Sequence, residues 1–348
     1  MRSLLTCAGL ALAAGALVVA QEAAVGPVER LDAALDAIVP QHVKVEILKE
    51  DYFGSSEGPI WVPEGTSGGH LLFSDQGANR IYKWSSPGGL SVFMENAGYT
   101  GDPAKWTESC GAQYIYNNRL FLGLIGTNGL TRDREGRLVM ANRGDCSLVR
   151  IEKNGVRTTL TDRYQGKRYM APNDLVVRSD GSVYFSAPFP ARADAAPPGL
   201  YRWSPDGSVQ LLDVGSLPGG TLNGMAFSPD EKALYVIAAA SSVNRSGGGN
   251  PGGKIWRFEV KADGTIANGV PLVTDAGAGA DGMKVDRQGN MYFNGVGGLW
   301  IVDPTGKHLG TVRMGRFTNL AFGDPDRKGL YITIQRGLAR VRLNIPGI

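Results

Sequence analysis

Imidazole and thiol are scarce in this chain. Of 348 residues three are histidine, His42, His70 and His308, and three are cysteine. No C-x-x-C pair or Cys/His cluster occurs, so a zinc site built on those ligands is not expected. A surplus of one charge is also missing. Lys and Arg number 36 against 33 Asp and Glu, a net charge of +3, which leaves no strong field to draw nucleic acid or an anionic membrane. Long apolar runs are confined to Leu10–Val19. With Arg2 ahead of it and Val18-Val19-Ala20 closing it, that run reads as a signal peptide over 1–20, cleaved before Gln21. It is too short and too rich in Ala and Gly for a membrane span. Cys7 precedes the run, where a lipoprotein-type anchor would not be attached. The expectation is a secreted or periplasmic protein. Cys110 and Cys146 then remain in an oxidising compartment, either as one disulfide or as two separate buried thiols.

Helical periodicity is nearly absent too. Leu31, Leu35 and Ile38 mark one face of a short helix that Pro40 ends, which predicts an N-terminal extension over 21–42 packed outside the main domain. What the chain has in excess is glycine. Forty-nine residues make about 14%, roughly twice the usual share, without a G-x-y period. Many tight turns account for that excess.

The turns fall in a repeat. Six segments each open with a polar-Gly-apolar step, pass through an Asp- and Gly-rich turn, and continue as alternating strands. Glu57-Gly58-Pro59-Ile60-Trp61 leads to HLLFSD and RIYKW, Asn128-Gly129-Leu130 to DREGRLVMAN, and Asn173-Asp174-Leu175 to RSDGSVYFSA. Asn223-Gly224-Met225 leads to SPDEKALYVIA, Asp281-Gly282-Met283 to DRQGNMYFNG, and Thr318-Asn319-Leu320 to DPDRKGLYITI. The openings are 71, 45, 50, 58 and 37 residues apart, centred on the length of a four-stranded propeller blade. An all-β, six-bladed β-propeller over 43–348 is therefore expected. Val43, Val45 and Ile47 alternate as a strand before any complete repeat, so this strand is expected to complete the last blade and remove a free sheet edge. Residues 97–127, 191–198 and 241–253 are left as loops on the faces, where substrate selection usually resides.

The repeat also locates candidate chemistry. Glu57, Asn128, Asn173, Asn223, Asp281 and Thr318 occupy one equivalent position, and all six carry side-chain oxygen. In a closed ring they would converge at one mouth of the central channel. Two carboxylates with amide carbonyls, and no thiol or imidazole, suit a hard divalent cation of the Ca²⁺ type, with Zn²⁺, Mn²⁺ or Mg²⁺ as other occupants of oxygen sites. Asn128 and Thr318 could instead be turn formers that satisfy their own backbone.

EGPIWV, TNGLTRDREGRLVMANRGD, the stretch from TLTDRYQGKRYMAPND to VYFSAPFP, LNGMAFSPDEKALYV and ADGMKVDRQGNMYF, in that order, resemble the gluconolactonase/regucalcin (senescence marker protein) family from about residue 44 to 345. That family is similar to paraoxonase and diisopropyl-fluorophosphatase. The resemblance implies a propeller with a divalent cation in its channel, hydrolysing a lactone or related ester. It implies metal ligation by Glu57, Asn223 and Asp281, with Asn173 contacting substrate or metal and Asn128 facing the channel. Two departures stand out. Asn142-Arg143-Gly144-Asp145 replaces the E-H-G-D of many bacterial members, and Ser186-Ala187-Pro188 replaces T-D-P. Arg143 becomes a candidate donor to a substrate carbonyl or carboxylate, although a surface-solvated arginine is the alternative.

With no histidine in any opening, Asp281 is the first choice and Glu57 the second for the base that activates water, beside a cation acting as Lewis acid. Gly54-Ser55-Ser56-Glu57-Gly58 matches G-x-S-x-G, but Pro59 and Pro63 exclude the helix that a nucleophile elbow needs. Trp61, Trp256 and Trp300 read as blade core, and Trp106, inside the 97–127 insertion, as a substrate contact. A small-molecule substrate and a monomer or weak dimer are expected. A non-catalytic propeller with a structural Ca²⁺, and a strictosidine-synthase-like lyase, are the competing readings.

Overall fold

The computed structural model describes residues 28–110, 113–116, 119–122, 124–188, 195–215, 220–240, 253–277 and 280–348. The signal peptide expected over 1–20 and most of the 241–253 loop lie outside these residues. Six antiparallel sheets of four or five strands follow one another along the chain. Blade I comprises Ser56–Glu64, Gly68–Asp75, Arg80–Ser85 and Gly89–Glu95, and blade II comprises Thr127–Arg132, Leu138–Asn142, Ser147–Ile151 and Arg157–Thr161. Blade III runs from Leu175–Val177 to Val209–Leu211, blade IV from Gly220–Phe227 to Ile266–Val273, blade V from Met283–Val285 to His308–Arg313 and blade VI from Asn319–Gly323 to Leu338–Arg342. The first strand of each is innermost. The fold is a six-bladed β-propeller.

Val45–Lys49 adds the outer strand of blade VI, pairing Val45 with Val341 and Ile47 with Ala339. A start and an end of the chain thus share one sheet, which removes the edge that Leu338–Arg342 would otherwise expose. Trp61 of blade I stacks on Tyr331 of blade VI at 5.6 Å, which adds about 0.5–1.5 kcal/mol to the apolar burial across this seam. Upstream, Val28–Arg30 adds a fifth strand to blade V, an element too short to show alternation in sequence. The helix is also shorter than expected. It covers Leu35–Ile38, with Leu35 and Ile38 buried against blades V and VI, while Leu31 is 53% exposed and lies ahead of the turn that leads into the helix.

Within blades the Asp–Gly turns follow one rule. The aspartate carboxylate accepts the backbone N–H two residues on, as Asp263 Oδ1 does from Thr265 at 2.9 Å and Asp303 Oδ1 from Thr305 at 2.8 Å. Gly264 and Gly306 follow at φ 80° and 92°, where a side chain would be strained. The 97–127 insertion is not a plain loop. It holds a 3-10 helix, Pro103–Glu108, and a hairpin of Gln113–Tyr116 with Arg119–Leu122.

Candidate active site

The six openings meet around the axis through the main chain. Gly129 N–H donates to Asn173 O at 2.8 Å, Gly224 to Asp281 O at 3.0 Å and Gly282 to Thr318 O at 2.9 Å, joining blades II to III, IV to V and V to VI. The inner strands are so close that a Cβ on Gly224 would stand 2.4 Å from Asp281 O. Glycine follows the opening residue for this reason in blades I, II, IV and V. Blades III and VI depart from it with Asp174 and Asn319, which face each other across the axis. Asn319 Nδ2 donates to Asp174 Oδ2 at 3.2 Å, so this pair spans the channel and forms a polar floor. The room comes from the glycines: a Cβ on Gly129 would lie 2.7 Å from Asp174 Oδ1, and one on Gly282 2.2 Å from the Asn319 amide.

Glu57 stands above that floor. It is 5% exposed, its Oε2 accepts Gly58 N–H at 3.0 Å, and Asn319 donates to it from the floor. Burial, then the nearby Asp281 and Asp174 carboxylates, push its pKa well above the ordinary carboxylate range. Asp281 has part of its surface open to solvent, and its Oδ1 accepts Asn223 Nδ2 at 2.7 Å. Burial of its carboxyl pushes its pKa up to about 7, against the pull of the Arg316 and Arg143 charges and the Asn223 hydrogen bond. The structure thus groups Glu57, Asn223 and Asp281 as neighbours. Asn173 and Asn128 are buried at the same level. Asn128 Nδ2 reaches Gln76 Oε1 at 3.5 Å, and its buried Oδ1 has no hydrogen-bond partner among the described residues.

Thr318 is different. Its hydroxyl bonds Ser56 O, Thr333 O and Thr333 Oγ1 at 2.8–2.9 Å, so it secures the seam between blades VI and I and offers no oxygen to the channel. Arg143, against the surface-solvated alternative, is 7% exposed and donates Nη1 to Gln76 Oε1 at 3.1 Å. Trp106 lies on the insertion's 3-10 helix, and no described contact joins it to the channel groups. Ser56 Oγ is spent on Gln335 O and Gly337 O, which removes the serine-nucleophile pattern. His70 pairs with Glu64 at 2.7 Å and His308 stacks on Trp300 at 3.8 Å, both outside the channel. Cys110 and Cys146 form a disulfide.

Sequence reasoning missed Asp174, Asn319 and Gln76. The first two sit one residue past the aligned opening, where four repeats have glycine. Gln76 directly follows the second strand of blade I, as Arg143 follows that of blade II, so aligning strand ends as well as strand starts would have found it.

Among the described residues no three His, Cys, Asp or Glu side chains make a metal cluster by themselves. A hard cation would rely on amide oxygens as well, and the donors present fit one: the neighbouring Glu57 and Asp281 carboxylates, with the Asn223 amide against Asp281 and the Asn173 amide buried nearby, are hard oxygen donors with no thiol or imidazole among them.

Residues 55–336 match the family model described as SMP-30/Gluconolactonase/LRE-like region. The chain belongs to that family. Its similarity to other SMP-30/gluconolactonase proteins extends over most of its length. A gluconolactonase of Zymomonas mobilis is 30% identical over 344 residues, covering 93% of this chain and 88% of the relative. A pentonolactonase of Haloferax volcanii is 30% identical over 291 residues, 81% of each. Among solved structures, a gluconolactonase from Xanthomonas campestris superposes with a TM-score of 0.68 at 27% identity, over 92% of this chain and 99% of that one.

Proposed function

We propose that this protein hydrolyses a sugar lactone to the sugar acid at the channel mouth, with a bound divalent cation. The supporting observation is the grouping of Glu57, Asn223 and Asp281 above the Asp174–Asn319 floor in a chain of the gluconolactonase family. Glu57, Asn173, Asn223 and Asp281 would hold the cation, for which all-oxygen donors favour Ca²⁺. Once bound, it supplies Lewis-acid polarisation of the lactone carbonyl.

The chain's own groups divide the remaining work. Arg143, buried and within electrostatic reach of Asp281, would place a positive charge near a lactone carbonyl oxygen as it becomes negative, an interaction stronger in the transition state than in the ground state. Asn128 Oδ1 would accept a hydrogen bond from a sugar hydroxyl, which satisfies its missing partner. Asp281 takes the proton from attacking water. It is preferred over Glu57 because part of its surface reaches solvent, whereas Glu57 is sealed. We further infer a secreted or periplasmic site of action, supported by the Cys110–Cys146 disulfide.

Substitution tests the assignment. Asp281→Ala or Asn223→Ala is expected to abolish calorimetric cation binding and lower lactone kcat/KM by about 100-fold or more, the loss typical of one transition-state electrostatic group. The far-ultraviolet circular dichroism should stay that of a β-protein. Full activity in either variant contradicts the site.

A further inference from the structure

Arg143 sits on a turn held partly by its own blade and partly from outside it. Residues 142–146 join the second and third strands of blade II, and Cys146 adopts φ 57°, a conformation that an L side chain keeps only where its surroundings impose it. Asn142 Oδ1 accepts Asp145 N–H at 3.1 Å, Asn142 Nδ2 donates to Asp145 Oδ2 at 3.4 Å, and Arg168 donates to Asp145 O at 2.9 Å. The other restraints come from the insertion between blades I and II. Cys110 is bonded to Cys146, with Cα atoms 5.6 Å apart, and Cys110 N–H donates to Gly144 O at 3.0 Å. Thr100 donates its N–H and hydroxyl to the Asp145 carboxylate at 3.2 and 2.7 Å. Gly144 is packed so tightly beneath the insertion that a Cβ would stand 2.1 Å from Ile125 O and 2.4 Å from Tyr99 N. Residues 144, 145 and 146 are thus each gripped from the insertion, directly after Arg143.

We infer that the insertion, locked by Cys110–Cys146, is a positioning device for Arg143: it sets the turn from which the guanidinium reaches Gln76 at the channel mouth. The inference rests on the lactone-hydrolase reading, in which Arg143 meets the developing negative charge. Arginine is long and flexible, so its aim depends on where its backbone is fixed as well as on Gln76. A displacement of about 1 Å in such a group can cost about 100-fold in rate. A disulfide that acted on stability alone could close the insertion anywhere along blade II. This one ends three residues from the arginine. Cys110 and Cys146 are positioning residues, acting through Arg143 and not on substrate.

A kinetic cycle tests this. The wild type, Arg143→Gln, the pair Cys110→Ser with Cys146→Ser, and all three substitutions together are compared for kcat and KM on the best lactone substrate, well below each melting temperature. Arg143→Gln is expected to lower kcat/KM by about tenfold or more, and the serine pair to lower it by a similar factor. The triple variant should be no worse than Arg143→Gln alone, because both changes remove the same interaction. Losses that multiply, or a serine pair that lowers only the melting temperature, overturn the inference. If the serine pair fails to fold, Thr100→Ala takes its place, since it loosens Asp145 and leaves the disulfide intact. If the wild type turns over no lactone, the lactone reading has failed and the same cycle is read as calorimetric affinity for a sugar acid. A shared, non-additive loss of affinity supports the positioning role, and affinity unmoved by Arg143→Gln overturns it.

Discussion

Glu57 and Asp281 are carboxyls placed where ionisation is costly. Burial raises both, so the folded, cation-free protein holds protons that the unfolded chain has released, from the ordinary carboxylate range near pH 4 up to about 7 for Asp281. In that window the native state binds more protons than the unfolded state, and stability falls as pH rises. A divalent cation bound between them, as proposed, would reverse the penalty by displacing those protons. Melting temperature measured against pH in chelator is therefore expected to decline from pH 5 to 8, and added Ca²⁺ to flatten the decline. A melting temperature that rises with pH in chelator would contradict the raised values. His70 offers the opposite control. It lies outside the channel against Glu64, so His70→Ala should leave kcat/KM within about twofold even if it costs some stability, and loss of turnover would displace the carboxylate base. Legibility at this scale followed the repeat. Glu57, Asn223 and Asp281 each precede glycine in a recurring step and were readable. Asp174 and Asn319 break that step, and their role depends on meeting across the axis, 145 residues apart in sequence.

The inner strand is the element that makes the site. The residue at its opening carries a side-chain oxygen, and in blades I, II, IV and V the residue after it is a glycine that lets the neighbouring blade close in. Gly224→Ala would drive a Cβ against Asp281 O, a backbone atom that cannot swing aside. An overpacking cost of about 1–3 kcal/mol is expected in denaturant unfolding, with weakened cation binding because the atoms displaced belong to Asp281. An alanine variant as stable as the wild type would show that the blades are less tightly joined than described. Turns within the blades were legible because their chemistry is local: an aspartate that caps the N–H two residues on, with a glycine within three residues of it. The insertion was not. Its 3-10 helix and hairpin carry no repeat, and the disulfide and the Thr100–Asp145 hydrogen bond that tie it to residues 144–146 span 36 and 45 residues of sequence.

At the scale of the whole molecule, the ring is held by its last blade. Val45–Lys49 closes blade VI, and Trp61 and Tyr331 stack across the seam beside it. Removing residues through Lys49 would strip the pairing partner from Leu338–Arg342, and the truncated protein is expected to aggregate on size-exclusion chromatography where the longer chain does not. A well-behaved monomer after truncation would show that closure does not depend on this strand. The closure was readable from alternation in Val43, Val45 and Ile47, whereas Val28–Arg30, with three residues, was too short to announce itself. The central claim is that a closed ring of oxygen-bearing inner strands makes a cation-dependent lactonase. Its most direct test is acid release from a panel of sugar lactones by the purified protein in a weakly buffered indicator assay, with excess chelator and then with Ca²⁺, Mn²⁺, Zn²⁺ or Mg²⁺ restored. Turnover that vanishes in chelator and returns with one of these ions is the expected result, and turnover undiminished by complete removal of cation would contradict the account.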